Sequence, residues 1–424
     1  MNFLAKENSG RRYQLAWWLC IITLPWIDMA NNISIILLSL VWITEGNFGI
    51  KWQRLKSSTW VWPFLIYYSL LVIGVFYSQD FDNGLFTLDK KISFFILPVI
   101  ISTGQPLNEK FAGLLKRSFV YSCFAVILLC LTVGAFYYFK GGPSANFDFN
   151  TNENFKSIHP DASPFWMHFS YIQLAHWAGL HPGYLSLYLV FCLIVLLTET
   201  YSNLTERNIH FLFGFLIAGF IGLLSSRMAI FSFIGCSFYM MASRIQEKKI
   251  KLILPVVLLS IFIVLIIWLN PVARFRIVEE PMNTTYQADQ TITSWNSVSY
   301  RLLEWEGSWS VIRANWLTGI GTGGSKIAMD NFYAHYNHST VGLEHNAHNQ
   351  YLQTWMENGL FGLFAFIVCL LGGLFRLHKD SSYVCFILIF SLMCLTESIG
   401  ERQKGIVFFT IFQVLFLGFE GRKE

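Results

Sequence analysis

The segment from Glu344 to Leu352 holds the residues with the clearest capacity for chemistry. His348 lies just before or at the start of an apolar run, where the amides and dipole of a helix N-terminus favour an anionic ligand. A neutral imidazole there could accept a proton from a hydroxyl group. The alternative is that His345 and His348 are interface residues or helix-capping partners.

A metal site is the weaker interpretation of the same histidines. They are three residues apart, but their segment contains no cysteine and only Glu344 as a carboxylate. All eight cysteines fall in or beside apolar runs without a Cys-x-x-Cys motif, which is typical of small buried residues rather than disulfides or thiolate ligands. The sequence therefore predicts no metal and no cofactor.

Arg227 is a second candidate because of its position relative to the apolar runs. It ends the sequence Ser225-Ser226-Arg227, and the apolar residues resume at Met228. An arginine at membrane depth is costly unless it finds an anion or extends to the interface. Arg227 is thus either a ligand-binding residue or a residue whose guanidinium reaches the membrane surface.

A third segment combines a predicted helix with a glycine cluster. One face of an amphipathic helix over the outer surface would carry Arg301, Glu304, Trp305 and Ser308. The glycines at 319, 321, 323 and 324 permit a tight turn or a close approach of the backbone to a ligand. Gly321 belongs to this cluster, which is not a Walker A loop because the order Gly-Lys-Ser/Thr is absent.

Two short segments place further ionisable groups beside these candidates. His181 opens an apolar run, and Glu397 and Arg402 lie in the connection between the last two runs. Each could be an ordinary polar residue of a connecting loop, but ionisable groups near one another often mark functional sites.

The elements that must position these residues are membrane helices. The 424-residue chain is 54% hydrophobic and only 13% charged, against roughly 25% charged residues in an average soluble domain. Twelve apolar runs predict an all-α integral membrane protein with about twelve transmembrane helices, although several runs fall short of the ~20 residues that span a bilayer upright. The runs are 14–27, 30–44, 59–78, 84–103, 115–138, 181–198, 210–224, 228–243, 252–270, 351–375, 381–396 and 404–419.

Basic residues predict the orientation of these spans. Groups of Lys and Arg begin near residues 6, 51, 110, 207, 244, 376 and 422, and twelve spans from a cytoplasmic start place all of them inside. Both termini would then be cytoplasmic, with no cleaved signal peptide. Residues 1–424 form one predicted membrane domain with outer loops at 139–180 and 271–350, the larger of which precedes the last three spans. A net charge of +4 does not indicate nucleic-acid binding.

Together these segments resemble the O-antigen ligase and O-antigen polymerase superfamily of bacterial envelope glycosyltransferases. The resemblance rests on Ser225-Ser226-Arg227, on Arg301 to Trp309 leading into Gly319-Ile320-Gly321, and on His348-Asn349 followed after nine residues by Gly359 and then Gly362. It covers mainly residues 180–415, because the first five spans match only in hydropathy.

The resemblance implies a metal-independent transferase of the GT-C type in the bacterial inner membrane. Its donor would be a glycan on undecaprenyl pyrophosphate, held by Arg227 and Arg301, and His348 would activate the acceptor at the periplasmic face. A fixed guanidinium can stabilise a diphosphate leaving group bidentately, and attack opposite that group predicts inversion at the anomeric carbon. Supporting positions are Asn349, His345, Glu304, Trp305, Gly321, His181, Glu397 and Arg402.

Several functions remain open on these residues. The preferred prediction is an O-antigen ligase that joins the glycan to lipid A core. A polymerase of the same superfamily and a protein O-oligosaccharyltransferase share the donor-side arginines. A transporter of lipid-linked glycans is the non-enzymatic alternative, but transporters place polar sites near the midplane and often contain matching halves, which this sequence does not show.

Overall fold

The computed structural model describes residues 2–141, 159, 163–199, 203–246, 253–287, 296–336 and 346–420. Within these ranges every regular element is helical and no strand occurs, which confirms the all-α prediction. The first part of the chain contains α1 (Asn2–Thr23), α2 (Asp28–Thr44), α3 (Phe48–Ser57), α4 (Trp62–Phe76), α5 (Phe81–Lys91), α6 (Ser93–Thr103) and α7 (Glu109–Phe139).

The remaining helices include both long apolar segments and short connecting turns. They are α8 (Pro164–His168), α9 (Tyr171–His176), α10 (Pro182–Thr198), α11 (Leu204–Leu224), α12 (Arg227–Gln246), α13 (Ile253–Leu269), α14 (Pro271–Arg274), α15 (Glu280–Met282), α16 (Ser297–Asn315), α17 (Ser325–His335), α18 (Gln350–Leu371), α19 (Leu374–Leu377), α20 (Ser381–Met393) and α21 (Gln403–Glu420). A π-helical turn, Phe275–Glu279, joins α14 to α15, and 3-10 turns occupy Thr59–Val61 and Ile399–Glu401.

Each of the twelve apolar runs coincides with helix, but fewer helices meet the criteria for a full span. Four segments are long and apolar enough to cross a membrane, and two bent helix pairs raise that number to six among the described residues. Four further apolar helices are 10–17 residues long. The run at 84–103 is two helices, α5 and α6, which meet at Ile92. These are the features of a helical membrane protein.

Two buried helices, α10 and α21, lie at the centre of the helical core. Every residue of α10 from Pro182 to Leu196 is buried, and so is every residue of α21 from Lys404 to Leu417. A helix that is apolar on all sides is stable only when other helices surround it. Phenylalanine rings fill the contacts, with the Phe412 ring centroid 5.0 Å from that of Phe119 in α7.

The glycine cluster lets three chain segments approach one another. Gly321 has a φ of 93°, which only glycine adopts readily, and a Cβ added there would lie 2.7 Å from the Gly74 carbonyl oxygen in α4. The backbone N–H of Gly321 donates to the Glu357 carbonyl of α18 over 2.9 Å. The cluster therefore packs between α4 and α18.

Candidate active site

Arg301 lies in the second turn of α16 and directs its guanidinium at the connection between α20 and α21. Its Nη2 donates to Glu397 Oε1 over 2.6 Å, and its Nε donates to the Thr396 carbonyl over 3.1 Å. The Asn296 side chain caps the start of α16, and Arg301 Nη1 donates to the Ser297 carbonyl over 3.1 Å. Acceptors from two parts of the chain thus hold the guanidinium in one orientation.

Arg227 is the first residue of α12 and is fixed in a similar way. Its Nε donates to the Arg276 carbonyl over 2.6 Å, and its Nη2 forms an ion pair with Glu280. Glu280 Oε1 also accepts from the backbone N–H and the hydroxyl of Ser297, at 3.1 and 3.0 Å. Because Arg301 also contacts Ser297, the start of α16 connects the environments of both arginines.

The two arginines line one cavity of about 320 Å³. Its polar wall contains Tyr171, His181, Arg227, Arg276, Arg301, Trp305 and Glu397. Apolar wall residues include Met228, Phe231, Leu302 and Met393. Cationic and apolar surfaces in one enclosure can bind an anion that is attached to an apolar group. We call this space the arginine cavity.

His348 precedes α18 and contacts two carboxylates. Its Nδ1 lies 3.3 Å from Glu397 Oε2, and its Nε2 lies 3.8 Å from Glu304 Oε1. An ionised carboxylate only accepts hydrogen bonds, so Nδ1 donates in the shorter contact, and Nε2 is the basic nitrogen when the ring is neutral. A φ of 39° at His348 is uncommon for a residue other than glycine. The result is an oriented imidazole, as general-base chemistry requires.

A smaller cavity of about 90 Å³ adjoins the arginine cavity. It is lined by His181, Tyr184, Asn346, His348, Glu397, Ser398, Glu401 and Arg402. His181 and Glu397 line both cavities. One oxygen of Glu397 faces Arg301 and the other faces His348, so this carboxylate connects the cationic wall to the imidazole.

The electrostatics of these groups follow from their contacts. Burial raises the pKa of Glu397, but the hydrogen bond from His348 and the charge of Arg301 outweigh it and bring that pKa to about 2. Burial lowers the pKa of Arg301, but the Glu397 charge outweighs it and raises the pKa overall. Burial lowers the pKa of His181 despite the opposing charge of Glu397. At neutral pH the site therefore holds an ionised Glu397, a charged Arg301 and a neutral His181.

Three of the predicted supporting residues either line one of these cavities or face the His348 ring. Trp305 lines the arginine cavity, and its indole Nε1 lies 3.5 Å from the His348 carbonyl. Glu304 is 3% exposed and faces the His348 ring. Arg402 lines the smaller cavity. These side chains, together with His181, surround the imidazole and the cationic wall.

The other predicted supporting residues have different positions. Asn349 caps α18, because its side-chain oxygen accepts from the N–H groups of Tyr351 and Leu352 at 2.9 and 3.1 Å. Gly321 packs against α4 and lines neither cavity. His345 lies outside the described residues. Asn349 and Gly321 thus act on the fold around the site.

Sequence reasoning missed two charged residues at the arginine cavity. Arg276 lines it, and Glu280 is the ion-pair partner of Arg227. Both lie in the segment from Arg274 to Glu280, which follows the apolar run at 252–270 and contains two arginines and two glutamates. Such a density of charge next to a predicted span was the signal that could have identified them.

A second group of buried charges, which we call the lysine cluster, lies behind the smaller cavity. Lys91 Nζ contacts Glu401 Oε1 at 2.5 Å and Glu357 Oε2 at 3.8 Å. Gln353 donates to Glu357 over 3.0 Å. The side chains of Lys91 and Glu357 are 1% and 2% exposed, so this cluster joins α5, α18 and the 3-10 turn at Ile399–Glu401 away from solvent.

No three His, Cys, Asp or Glu side chains are grouped to hold a metal ion within the part of the chain that the structure describes. The ionisable groups that line the two cavities are instead arginines, carboxylates and two imidazoles. Such an arrangement can bind an anion and accept a proton.

Fold and site together define a helical membrane protein with an arginine-lined cavity beside an oriented histidine. Residues 212–367 match the family model described as O-Antigen ligase, a segment that contains Arg227, Arg301 and His348. This match confirms the resemblance to the O-antigen ligase superfamily that the motifs carry. Members of this family are glycosyltransferase-like enzymes. No curated protein sequence matches the chain.

Proposed function

We propose that the protein is an O-antigen ligase. It transfers a glycan from undecaprenyl pyrophosphate to a hydroxyl of lipid A core at the periplasmic face of the bacterial inner membrane. The observation that carries this proposal is the pairing of Glu397 with both Arg301 and His348, next to Arg227 in the same arginine cavity. Transfer from a lipid diphosphate to a hydroxyl requires an anion site beside a base.

The proposed reaction uses one arginine wall and one imidazole. The acceptor oxygen bonds to the anomeric carbon as the bond from that carbon to the diphosphate oxygen breaks, and His348 Nε2 takes the hydroxyl proton. Arg227 and Arg301 stabilise the negative charge that develops on the departing undecaprenyl diphosphate, without a metal. Attack on the face opposite the leaving group inverts the anomeric configuration.

The proposal includes the predicted membrane arrangement. Twelve spans of the GT-C type, one membrane domain and cytoplasmic termini would place the loops at 139–180 and 271–350 in the periplasm. The coincidence of all twelve apolar runs with helix supports this count, and so does the distribution of basic residues. The shorter helices would be spans that neighbouring helices surround.

The test uses full-length protein reconstituted in lipid vesicles. An undecaprenyl-pyrophosphate-linked glycan is supplied to it as the donor. Lipid A core, a second lipid-linked glycan and an acceptor peptide are supplied in parallel, and the glycosylated products are measured by mass spectrometry. We expect product on lipid A core. Product only on the second glycan would identify a polymerase, and product only on the peptide a protein O-oligosaccharyltransferase.

A non-enzymatic role is tested in the same vesicles. Movement of the labelled donor across the bilayer, with no transfer to any of the three acceptors, would identify a transporter and contradict the proposal. His378→Ala serves as the matched control for histidine variants, because His378 is an exposed residue at the end of α19 and lines neither cavity.

A further inference from the structure

Arg276 differs from the other two arginines of the arginine cavity in its partners. Arg227 pairs with Glu280, and Arg301 pairs with Glu397. Arg276 forms no ion pair within the described ranges, is only 8% exposed, and has a buried Nε without a hydrogen-bond partner there. Burial of a guanidinium without a counter-charge is costly. A position of this kind indicates a site for an anionic ligand.

The environment of Arg276 orients its donors. Its guanidinium carbon lies 3.3 Å from the centroid of the Tyr171 ring, and both residues line the arginine cavity. A guanidinium that stacks on a ring keeps its in-plane N–H groups available for an anion. Tyr171 has a φ of 49°, a left-handed conformation that is strained for a tyrosine. The backbone thus holds the ring under Arg276 at an energetic cost.

The balance of charge distinguishes Arg276 further. The carboxylates of Glu280 and Glu397 neutralise Arg227 and Arg301, and among the described residues this leaves the charge of Arg276 uncompensated beside the cavity. A lipid diphosphate diester carries one negative charge on each phosphate. The uncompensated guanidinium would therefore supply most of the net attraction for such a ligand.

We propose that Arg276 is a third anion-binding residue of the site. Its guanidinium, held against Tyr171, donates to non-bridging oxygens of the lipid diphosphate. This inference rests on the proposed function, because the diphosphate is the donor group named there. Arg227 and Arg301 then divide their hydrogen-bond donors between the diphosphate and their own carboxylates. Arg276 directs its donors to the diphosphate alone.

The inference predicts opposite effects on binding and on stability. Arg276→Gln removes an uncompensated buried charge, so the ligand-free variant should melt at the same temperature as the wild type or higher. The same change should weaken binding of undecaprenyl diphosphate roughly tenfold or more, because a charge-assisted hydrogen bond is lost. An arginine with a purely structural role would lower the melting temperature.

The experiment uses full-length protein in lipid nanodiscs with undecaprenyl diphosphate as the probe and undecaprenyl monophosphate for comparison. Arg276→Lys keeps the charge without the planar fork and should bind the diphosphate with intermediate affinity. Arg274→Gln is the matched control, because Arg274 pairs with Glu279 at 3.0 Å and does not line the cavity. Its affinity should equal that of the wild type.

A second variant tests the stacked ring. Tyr171→Leu removes the ring and leaves the arginine, so it should weaken binding of the diphosphate by a smaller factor than Arg276→Gln does. Unchanged affinity in Tyr171→Leu would overturn the role of the ring in orienting Arg276.

The outcomes separate this inference from the proposed function. Wild-type protein that fails to bind undecaprenyl diphosphate would overturn the proposed function itself. If the wild type binds the probe and Arg276→Gln binds it equally well, the inference fails while the proposed function stands. A lowered melting temperature in ligand-free Arg276→Gln would assign Arg276 a structural role and also overturn the inference.

Discussion

The arginine cavity and the lysine cluster are two buried groups of charges with opposite balances. The cavity brings together three guanidiniums, Arg227, Arg276 and Arg301, with two carboxylate partners. The lysine cluster joins one ammonium, on Lys91, to two carboxylates. An excess of positive charge next to an open space favours an anionic ligand. A cation enclosed between two carboxylates instead connects the helices that carry them.

The largest effect should come from His348, which adjoins the arginine cavity. His348→Ala should lower the rate of glycan transfer by about 10²–10⁴, because general-base catalysis contributes that much, and leave binding of the donor largely intact. Transfer is measured with saturating donor in vesicles, beside the control His378→Ala. Full transfer by His348→Ala would remove this histidine as the base.

The lysine cluster should show its effect in stability. Lys91→Met leaves Glu357 and Glu401 buried without their cation, so the free energy of unfolding should fall by about 3–5 kcal/mol. Denaturant unfolding in detergent measures it, with Lys90→Met as control because Lys90 Nζ lies over the Phe86 ring, 4.6 Å from its centroid. Equal free energies of unfolding for Lys91→Met and Lys90→Met would contradict a structural role for the lysine cluster.

Arg301 tests whether the arginine cavity binds the lipid-linked donor. Arg301→Ala should weaken binding of the lipid-linked donor roughly tenfold to a hundredfold, because it removes a charge-assisted hydrogen bond. Donor affinity is measured directly, and the control Arg313→Ala changes an exposed residue on the same helix. An unchanged dependence on donor concentration would argue against contact with the diphosphate.

Glu397 should make the free energy of unfolding depend on pH. Its pKa of about 2 lies below the ordinary 4.5, so the stability that its contacts contribute is present above pH 4.5 and is lost as the pH falls to 2. The free energy of unfolding of the wild type should therefore fall over that interval by about 3 kcal/mol more than that of Glu397→Gln. Parallel profiles from unfolding at a series of pH values would contradict this coupling.

The smallest effect should come from the helix cap beside the site. Asn349→Ala removes two acceptor contacts at the start of α18 and should lower the free energy of unfolding by about 1 kcal/mol. Transfer per folded molecule should stay close to that of the wild type. A loss of transfer as large as that of His348→Ala would show that Asn349 takes part in the reaction and is more than a helix cap.

Local signals explain which parts of the site could be predicted. Arg227, Arg301 and His348 were identified because each lies beside an apolar run or within a recognisable motif. Arg276 was missed because its significance depends on the absence of a carboxylate partner among the residues that the structure describes, and on the Tyr171 ring beneath it. Neither condition is visible in the residues that flank it in the chain.

The sequence by itself determined the membrane class, the helical nature and the positions of the apolar helical segments, because hydrophobic runs are properties of neighbouring residues. Tertiary structure decided which charges meet. Arg301 and Glu397 are 96 residues apart, and Lys91 and Glu401 are 310 apart. Charges so distant in the chain become partners only when helix packing brings them within a few ångströms, where burial makes their attraction and their desolvation large.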